Sequence, residues 1–125
     1  MIIVGELINA SRKSVREVIE KQDDAEIIKI AQAQKDNGAH YIDVNAGVFV
    51  GQESELLKWL VATVQSTVDI PCCIDSPDPR VIEAALAVHK GTAMINSISL
   101  EKDRFERLVP VVVDSKSKVV ALCMS

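Results

Sequence analysis

Histidine and cysteine, on which many metal and redox sites depend, are scarce in this chain. It has two histidines and three cysteines in 125 residues. Cys72, Cys73 and Cys123 show no Cys-x-x-Cys spacing, which argues against a zinc site and a disulfide framework. His40 and His89 fall at helix or loop ends, where solvated or packed rings are expected. We therefore predict reduced core thiols, two structural histidines and no bound metal.

Long apolar runs, targeting signals and glycine-rich nucleotide loops are also missing. No stretch of about 18 apolar residues occurs, so no membrane span is predicted. The segment Met1–Gly5 lacks a basic region and a cleavage site, and a cytoplasmic protein is expected. Neither a G-x-G-x-x-G motif nor a P-loop is present. The formal net charge of −4 argues against a nucleic-acid partner.

What the chain does contain is aliphatic residues arranged in alternating strand and helix patterns. It is 48% hydrophobic but only 3% aromatic, so the core is built from Val, Ile, Leu and Ala, which suits a parallel sheet. Short apolar runs predict strands at 2–6, 41–45, 70–75, 92–96 and 119–123. Capping patterns at Ser14 and Asp23 predict a short helix and a longer one between the first two strands. Asp78, followed by Pro79, predicts the start of the helix after the third strand.

This order predicts an α/β fold with five parallel strands and four intervening helices, besides the short helix after the first strand. Either a doubly wound open sheet or a (β/α)8 barrel fits the pattern. A full barrel needs about 250 residues, so residues 1–125 are interpreted as the N-terminal half of a barrel and a fragment of a longer chain. The open edges of strands one and five predict that the isolated chain associates.

Polar side chains end most of the predicted strands and predict one polar floor at the carboxyl edge of the sheet. They are Glu6, Asp43, Asn45, Asp75 and Asn96. No His, Lys or Arg ends a strand, which disfavours a phosphate site, a Schiff-base site and a zinc hydrolase site. A carboxylate accepts two parallel hydrogen bonds from a 2-amino-pyrimidinone edge, as in guanine-like and pterin-like rings, and a carboxamide both donates and accepts.

Each of these side chains also has a structural alternative. Asp75 would serve the turn at Asp78, Asn96 would form an Asx-turn, and Asp43 would be a partner to a neighbouring strand. Glu6 would pair with Arg12 or Lys13. The sequence leaves these alternatives open.

Four motifs in order resemble the methyltetrahydrofolate:corrinoid protein methyltransferases and the folate domain of cobalamin-dependent methionine synthase. They are Gly5–Asn9 followed by Ser11-Arg12-Lys13, Asp43–Asn45, Ile74–Ser76 with Val81–Ala84, and Ile95–Ser99. The resemblance covers nearly all of the chain. The resemblance implies a pterin-binding (β/α)8 barrel that moves a methyl group between N5 of tetrahydrofolate and the cobalt of a corrinoid.

By this resemblance, Asp75 and Asn96 bind the pterin ring of tetrahydrofolate or 5-methyltetrahydrofolate. Asp43 and Asn45 shape the same floor, and Glu6 and Asn9 form its rim. The family's N5-activating Asn and a further pterin-binding Asp belong to the second half of the barrel, so the catalytic residues stay unassigned and the 125-residue piece is expected to be inactive alone. A corrinoid protein is the implied partner, and a homodimer is expected.

Two other functions fit parts of this pattern. Dihydropteroate synthase is a related pterin barrel, but its usual Pro-Asp-Ser-Phe run after the Asn is replaced here by Ala10–Lys13, and the second strand lacks the expected double Gly. A non-catalytic half-barrel that only binds pterin or a partner is the third hypothesis.

Overall fold

The computed structural model describes residues 1–99 and 102–122, and the side chains of 1–96 and 106–119. The described residues form five strands and five helices in the order β1 (Val4–Asn9), α1 (Lys13–Glu20), α2 (Asp24–Asp36), β2 (Tyr41–Asn45), α3 (Glu53–Thr67), β3 (Cys72–Asp75), α4 (Pro79–Val88), β4 (Met94–Ser99), α5 (Lys102–Ser115) and β5 (Lys118–Leu122). Within this described part, no helix combines the length and apolarity that crossing a membrane requires. Cys123, at the end of the predicted fifth strand, lies outside the described residues.

The strands form one parallel sheet whose spatial order, β1-β2-β3-β4-β5, follows the sequence. A doubly wound sheet would reverse its strand order and carry helices on both faces. Here one core joins a single face of the sheet to side chains from all five described helices, among them Ile19, Ile27, Leu57, Ile82 and Leu108. The order and the one-sided helix layer match the N-terminal half of a (β/α)8 barrel, as the sequence predicts.

The opposite face of the sheet carries a second, smaller cluster. Tyr41, Cys73 and Met94 are buried there, with Val4 packed against them. Cys72 points into the helix-covered core, so the adjacent thiols lie on opposite faces, as predicted. Burial raises the pKa of the Cys72 thiol to about 12 and also raises the pKa of Cys73. Both therefore stay protonated and serve as packing groups.

Two of the predicted helix starts are confirmed and one is wrong. Asp23 caps α2 by accepting the Glu26 N–H at 3.2 Å, and Asp78 caps α4, whose first residue is Pro79. The capping box at Ser14 does not form, because α1 already begins at Lys13. Its first helical bond closes on the Arg12 carbonyl, and Arg12 makes no side-chain cap.

The first strand is displaced from its predicted bounds, because it runs from Val4 to Asn9 and contains a bulge between Gly5 and Ile8. Gln34 of α2 accepts the Leu7 N–H at 3.1 Å within this bulge. A Cβ on Gly5 would lie 2.8 Å from the Gln34 Cδ, so a larger residue at this position requires the Gln34 side chain to move. The fourth strand likewise continues past Asn96 to Ser99, with a register shift between Asn96 and Ile98. Alternating patterns alone do not reveal such irregularities.

Both histidines bond backbone N–H groups at the amino-terminal edge of the sheet. His89 Nε2 accepts the Cys72 N–H at 2.9 Å, and His89 Nδ1 lies 3.1 Å from the Gly91 carbonyl, to which it donates. Burial lowers the pKa of His89, which favours this neutral ring. His40 Nδ1 accepts the Ile3 N–H at 2.9 Å. Neither ring lies at the carboxyl edge, where the polar residues gather.

Candidate functional site

Three polar side chains meet at the carboxyl edge of β2, β3 and β4, on the face without helices. The register pairs Asp75 with Asn96, and it pairs Asp43 with Cys73, two residues deeper in β3. The Asn96 carboxamide bridges the two levels, because its Nδ2 donates to Asp43 Oδ2 at 3.1 Å. We call Asp43, Asp75 and Asn96 the floor triad.

Burial separates the members of the floor triad into two roles. Asp43 is only 2% exposed, whereas Asp75 and Asn96 are half-buried. Asp43 does bond a side chain of another strand, Asn96 of β4, but β3 lies between β2 and β4. The open parts of Asp75 and Asn96 remain available to a ligand on this face.

The electrostatics of the triad favour one proton held at neutral pH. The pKa of Asp43 is raised to about 7, first by burial and then by a hydrogen bond with the Asp75 side chain. The negative charges of Asp75 and Glu6 raise it further, while the hydrogen bond from Asn96 lowers it. Two neighbouring carboxylates rarely ionise together in a buried setting. The Asp43 carboxyl therefore gains its proton as the pH falls through neutrality.

Asn45, predicted for the floor, and Asn9, predicted for the rim, lie at strand ends, where both shape turns. Asn45 Oδ1 accepts the Gly47 N–H at 2.8 Å, and Asn9 Oδ1 accepts both the N–H and the hydroxyl of Ser11 at 2.9 and 2.8 Å. Both are Asx-type turns, which direct the loops outward from β2 and β1. Each asparagine keeps its Nδ2 group, so a ligand contact by either one remains a prediction.

Glu6 is exposed and does not form the alternative ion pair. Within residues 1–99, neither Arg12 nor Lys13 comes within ion-pair distance of its carboxylate. Its charge instead acts on Asp43, as the raised pKa of that group shows.

Ser76 and Glu53 are supporting residues that the sequence reasoning missed. The Ser76 hydroxyl, 2% exposed, donates to Glu53 Oε2 at 2.9 Å and accepts the Asp78 N–H at 3.2 Å. The hydrogen bonds of this turn are made by Ser76 and Asp78. The alternative of Asp75 as the turn-forming residue is therefore wrong. A serine whose hydroxyl bonds the N–H two residues later is a known turn pattern, and its position directly after β3 was the available signal.

Together these groups present an acceptor carboxylate, a carboxamide and a buried carboxyl that accepts a hydrogen bond from the carboxamide. Among the described residues, no cluster of three or more His, Cys, Asp or Glu side chains is arranged to hold a metal ion. The open carboxylate can accept two adjacent N–H groups, and the carboxamide can complete the hydrogen bonds of a planar heterocycle.

Comparison with known proteins agrees with this chemistry. Residues 5–125 match the sequence profile of the family described as pterin binding enzymes. The chain belongs to the pterin-binding enzyme family. The methylcorrinoid:tetrahydrofolate methyltransferase of Eubacterium limosum is 42% identical over 115 residues, which make up 92% of this chain and 42% of that protein.

Methionine synthases are more distant relatives within the pterin-binding family. Those of Mycobacterium tuberculosis and Mycobacterium leprae are each 29% identical over 129 residues, covering 98% of this chain and 11% of each enzyme. The chain thus spans less than half the length of these relatives. The family membership and the half-barrel fold that the motifs imply are confirmed.

Proposed function

We propose that residues 1–125 form the pterin-holding half of a (β/α)8 methyltransferase. The whole protein would move a methyl group between N5 of tetrahydrofolate and the cobalt of a corrinoid carried by another protein. The observation that carries the proposal is the floor triad, since it places an open carboxylate beside an open carboxamide at the ligand-binding edge of the sheet.

Asp75 is the proposed anchor of the ring. Its half-buried carboxylate would accept the paired N–H donors of the 2-amino-pyrimidinone edge, as a carboxylate accepts a guanidinium. Asn96 would bond a neighbouring ring atom. Asn45 would belong to the same floor, and Asn9 and Glu6 would border the ring at the rim.

Holding the pterin ring in one orientation places N5 for methyl transfer, and this positioning alone lowers the activation barrier. The activation of N5 and the catalytic residues are assigned to the second half of the barrel. The name of the Eubacterium limosum relative couples a methylcorrinoid to tetrahydrofolate, and this favours methyl transfer over a dihydropteroate synthase reaction. A corrinoid protein is the proposed partner, and a homodimer is the proposed assembly of the longer protein.

Calorimetric titration of 5-methyltetrahydrofolate tests the proposal. Asp75→Asn cannot accept both N–H donors and should weaken binding by roughly 1–3 kcal/mol, or about 5- to 150-fold. Asp69→Asn is the matched control, because Asp69 is exposed and precedes β3 at the opposite edge of the sheet. Equal affinity of the Asp75 variant and the control would remove Asp75 from the site.

The same titration with the longest chain that carries this sequence, beside residues 1–125, separates binding from assembly. Binding by both would mean that the first strands already make most of the floor. Binding by the longer chain alone would mean that the second half is required. Methyl transfer to or from a corrinoid protein by the longer chain would rule out a binding-only role, whereas binding without transfer would support it.

A further inference from the structure

The buried member of the floor triad has a geometry different from that of a ligand-contacting residue. Asp43 is 2% exposed, and its Oδ2 is already bonded to Asn96 at 3.1 Å. The register places it level with Cys73 and Met94, beneath the level at which Asp75 faces Asn96. A ring lying on Asp75 and Asn96 would therefore be separated from Asp43 by the side chains that hold it.

We propose that Asp43 is a positioning residue that holds the Asn96 carboxamide and the Asp75 carboxylate for the ring without contacting the ring itself. This inference rests on the proposed pterin site. Asp43 Oδ2 accepts from Asn96 Nδ2 at 3.1 Å, and the Asp75 side chain is near enough that a hydrogen bond with it contributes to the raised pKa of Asp43. A single buried carboxyl thus sets the orientation of both open groups.

The charges around Asp43 make this positioning depend on its proton. Glu6 of β1 and Asp75 of β3 bring negative charge toward it, and the thiols of Cys72 and Cys73 are neutral. Two residues before Asp43 on β2 is Tyr41. The centroid of the Tyr41 ring lies 5.7 Å from Nζ of the exposed Lys118 of β5. From β4 it faces the uncharged Asn96.

Loss of the Asp43 proton removes the hydrogen bond to Asp75 and replaces it with repulsion between two carboxylates. Since burial and these neighbours raise the pKa of Asp43 to about 7, the change falls near neutral pH. Pterin affinity of the wild-type chain should therefore fall by about tenfold between pH 6 and pH 8.5.

Two variants and one control test the role in binding titrations across this pH range. In Asp43→Asn, the oxygen of the new carboxamide still accepts from Asn96 and its amide still donates to Asp75. The side chain at position 43 no longer titrates. Its affinity should not change with pH, and its loss at pH 6 should be smaller than that of Asp75→Asn. Asp43→Leu removes both bonds and should weaken binding by about tenfold or more at every pH. Asp69→Asn should keep the wild-type pH profile.

A ligand-free measurement separates this inference from the pterin proposal. The side-chain amide resonances of Asn96, identified by their loss in Asn96→Ala, should shift with a midpoint near pH 7 in wild type and stay constant in Asp43→Asn. If the resonances shift but neither residues 1–125 nor the longer chain binds pterin at any pH, the proposed function fails while the Asp43–Asn96 link stands. If they do not shift, or if Asp43→Asn at pH 6 loses as much affinity as Asp75→Asn, the positioning role is wrong.

Discussion

Replacing Asp43 with asparagine should stabilise the chain at alkaline pH and have little effect at acid pH. The wild-type carboxyl is buried at 2% exposure, and its pKa rises from an ordinary value of 3.8 to about 7. Asparagine has the shape of the protonated form and carries no charge. It therefore removes the free-energy cost of ionising a buried group while keeping the bond from Asn96.

Proton linkage gives the sign and the magnitude of the stability difference between Asp43→Asn and wild type. Between pH 4 and pH 7 the folded chain holds a proton on Asp43 that the unfolded chain has released, so the contribution of Asp43 to wild-type stability is greatest below pH 4 and falls as pH rises through this window. At about 1.4 kcal/mol for each tenfold change in ionisation constant, the difference between 3.8 and about 7 corresponds to roughly 4 kcal/mol. The variant's advantage should therefore grow by roughly this amount between pH 4 and pH 8.

Urea unfolding at pH 4.5, 6 and 8, followed by far-UV circular dichroism, measures this difference. Protein concentration must be low and constant, because association through the open strand edges would add to the apparent stability. Asp69→Asn serves as the control for removing an exposed carboxylate. A stability difference that does not change with pH, or that favours wild type at pH 8, would refute the account of Asp43.

Three further changes have expected outcomes in chemical denaturation. Gly5→Ala should destabilise the fold by about 1–3 kcal/mol through overpacking against Gln34, and adding Gln34→Ala should recover part of that loss; purely additive effects would contradict the contact. His89→Leu should cost about 1–3 kcal/mol at pH 8, because the Cys72 N–H loses its acceptor. The cost of His89→Leu should shrink as pH falls below 6.5, because the pKa of His89 is lowered in the folded chain and its stabilising contribution is lost at acid pH. A cost that does not change with pH would argue against the neutral ring. Ser76→Ala should cost about 1–2 kcal/mol by removing the bond to Glu53, and a neutral change would show that this bond adds nothing.

Much of the fold follows from local patterns. Short aliphatic runs and the caps at Asp23 and Asp78 identify β2, β3, α2 and α4, because the side chains within one segment decide them. The start of α1 and the bulge at Gly5 were not predictable in this way. The bulge depends on Gln34, which lies 27 residues further along the chain than the Leu7 amide that it bonds.

The candidate site, like the fold, could be predicted only in part from the sequence. By itself the sequence determined which polar residues end the strands and, through four ordered motifs, which family they belong to; both are properties of residue order. Only the tertiary structure decided that Asp43 lies beneath Asp75 and Asn96, that Ser76 bonds the turn after β3, and that Asn45 and Asn9 brace loops. The physical reason is that burial, and therefore the protonation of a carboxyl, depends on strands brought together from distant parts of the chain.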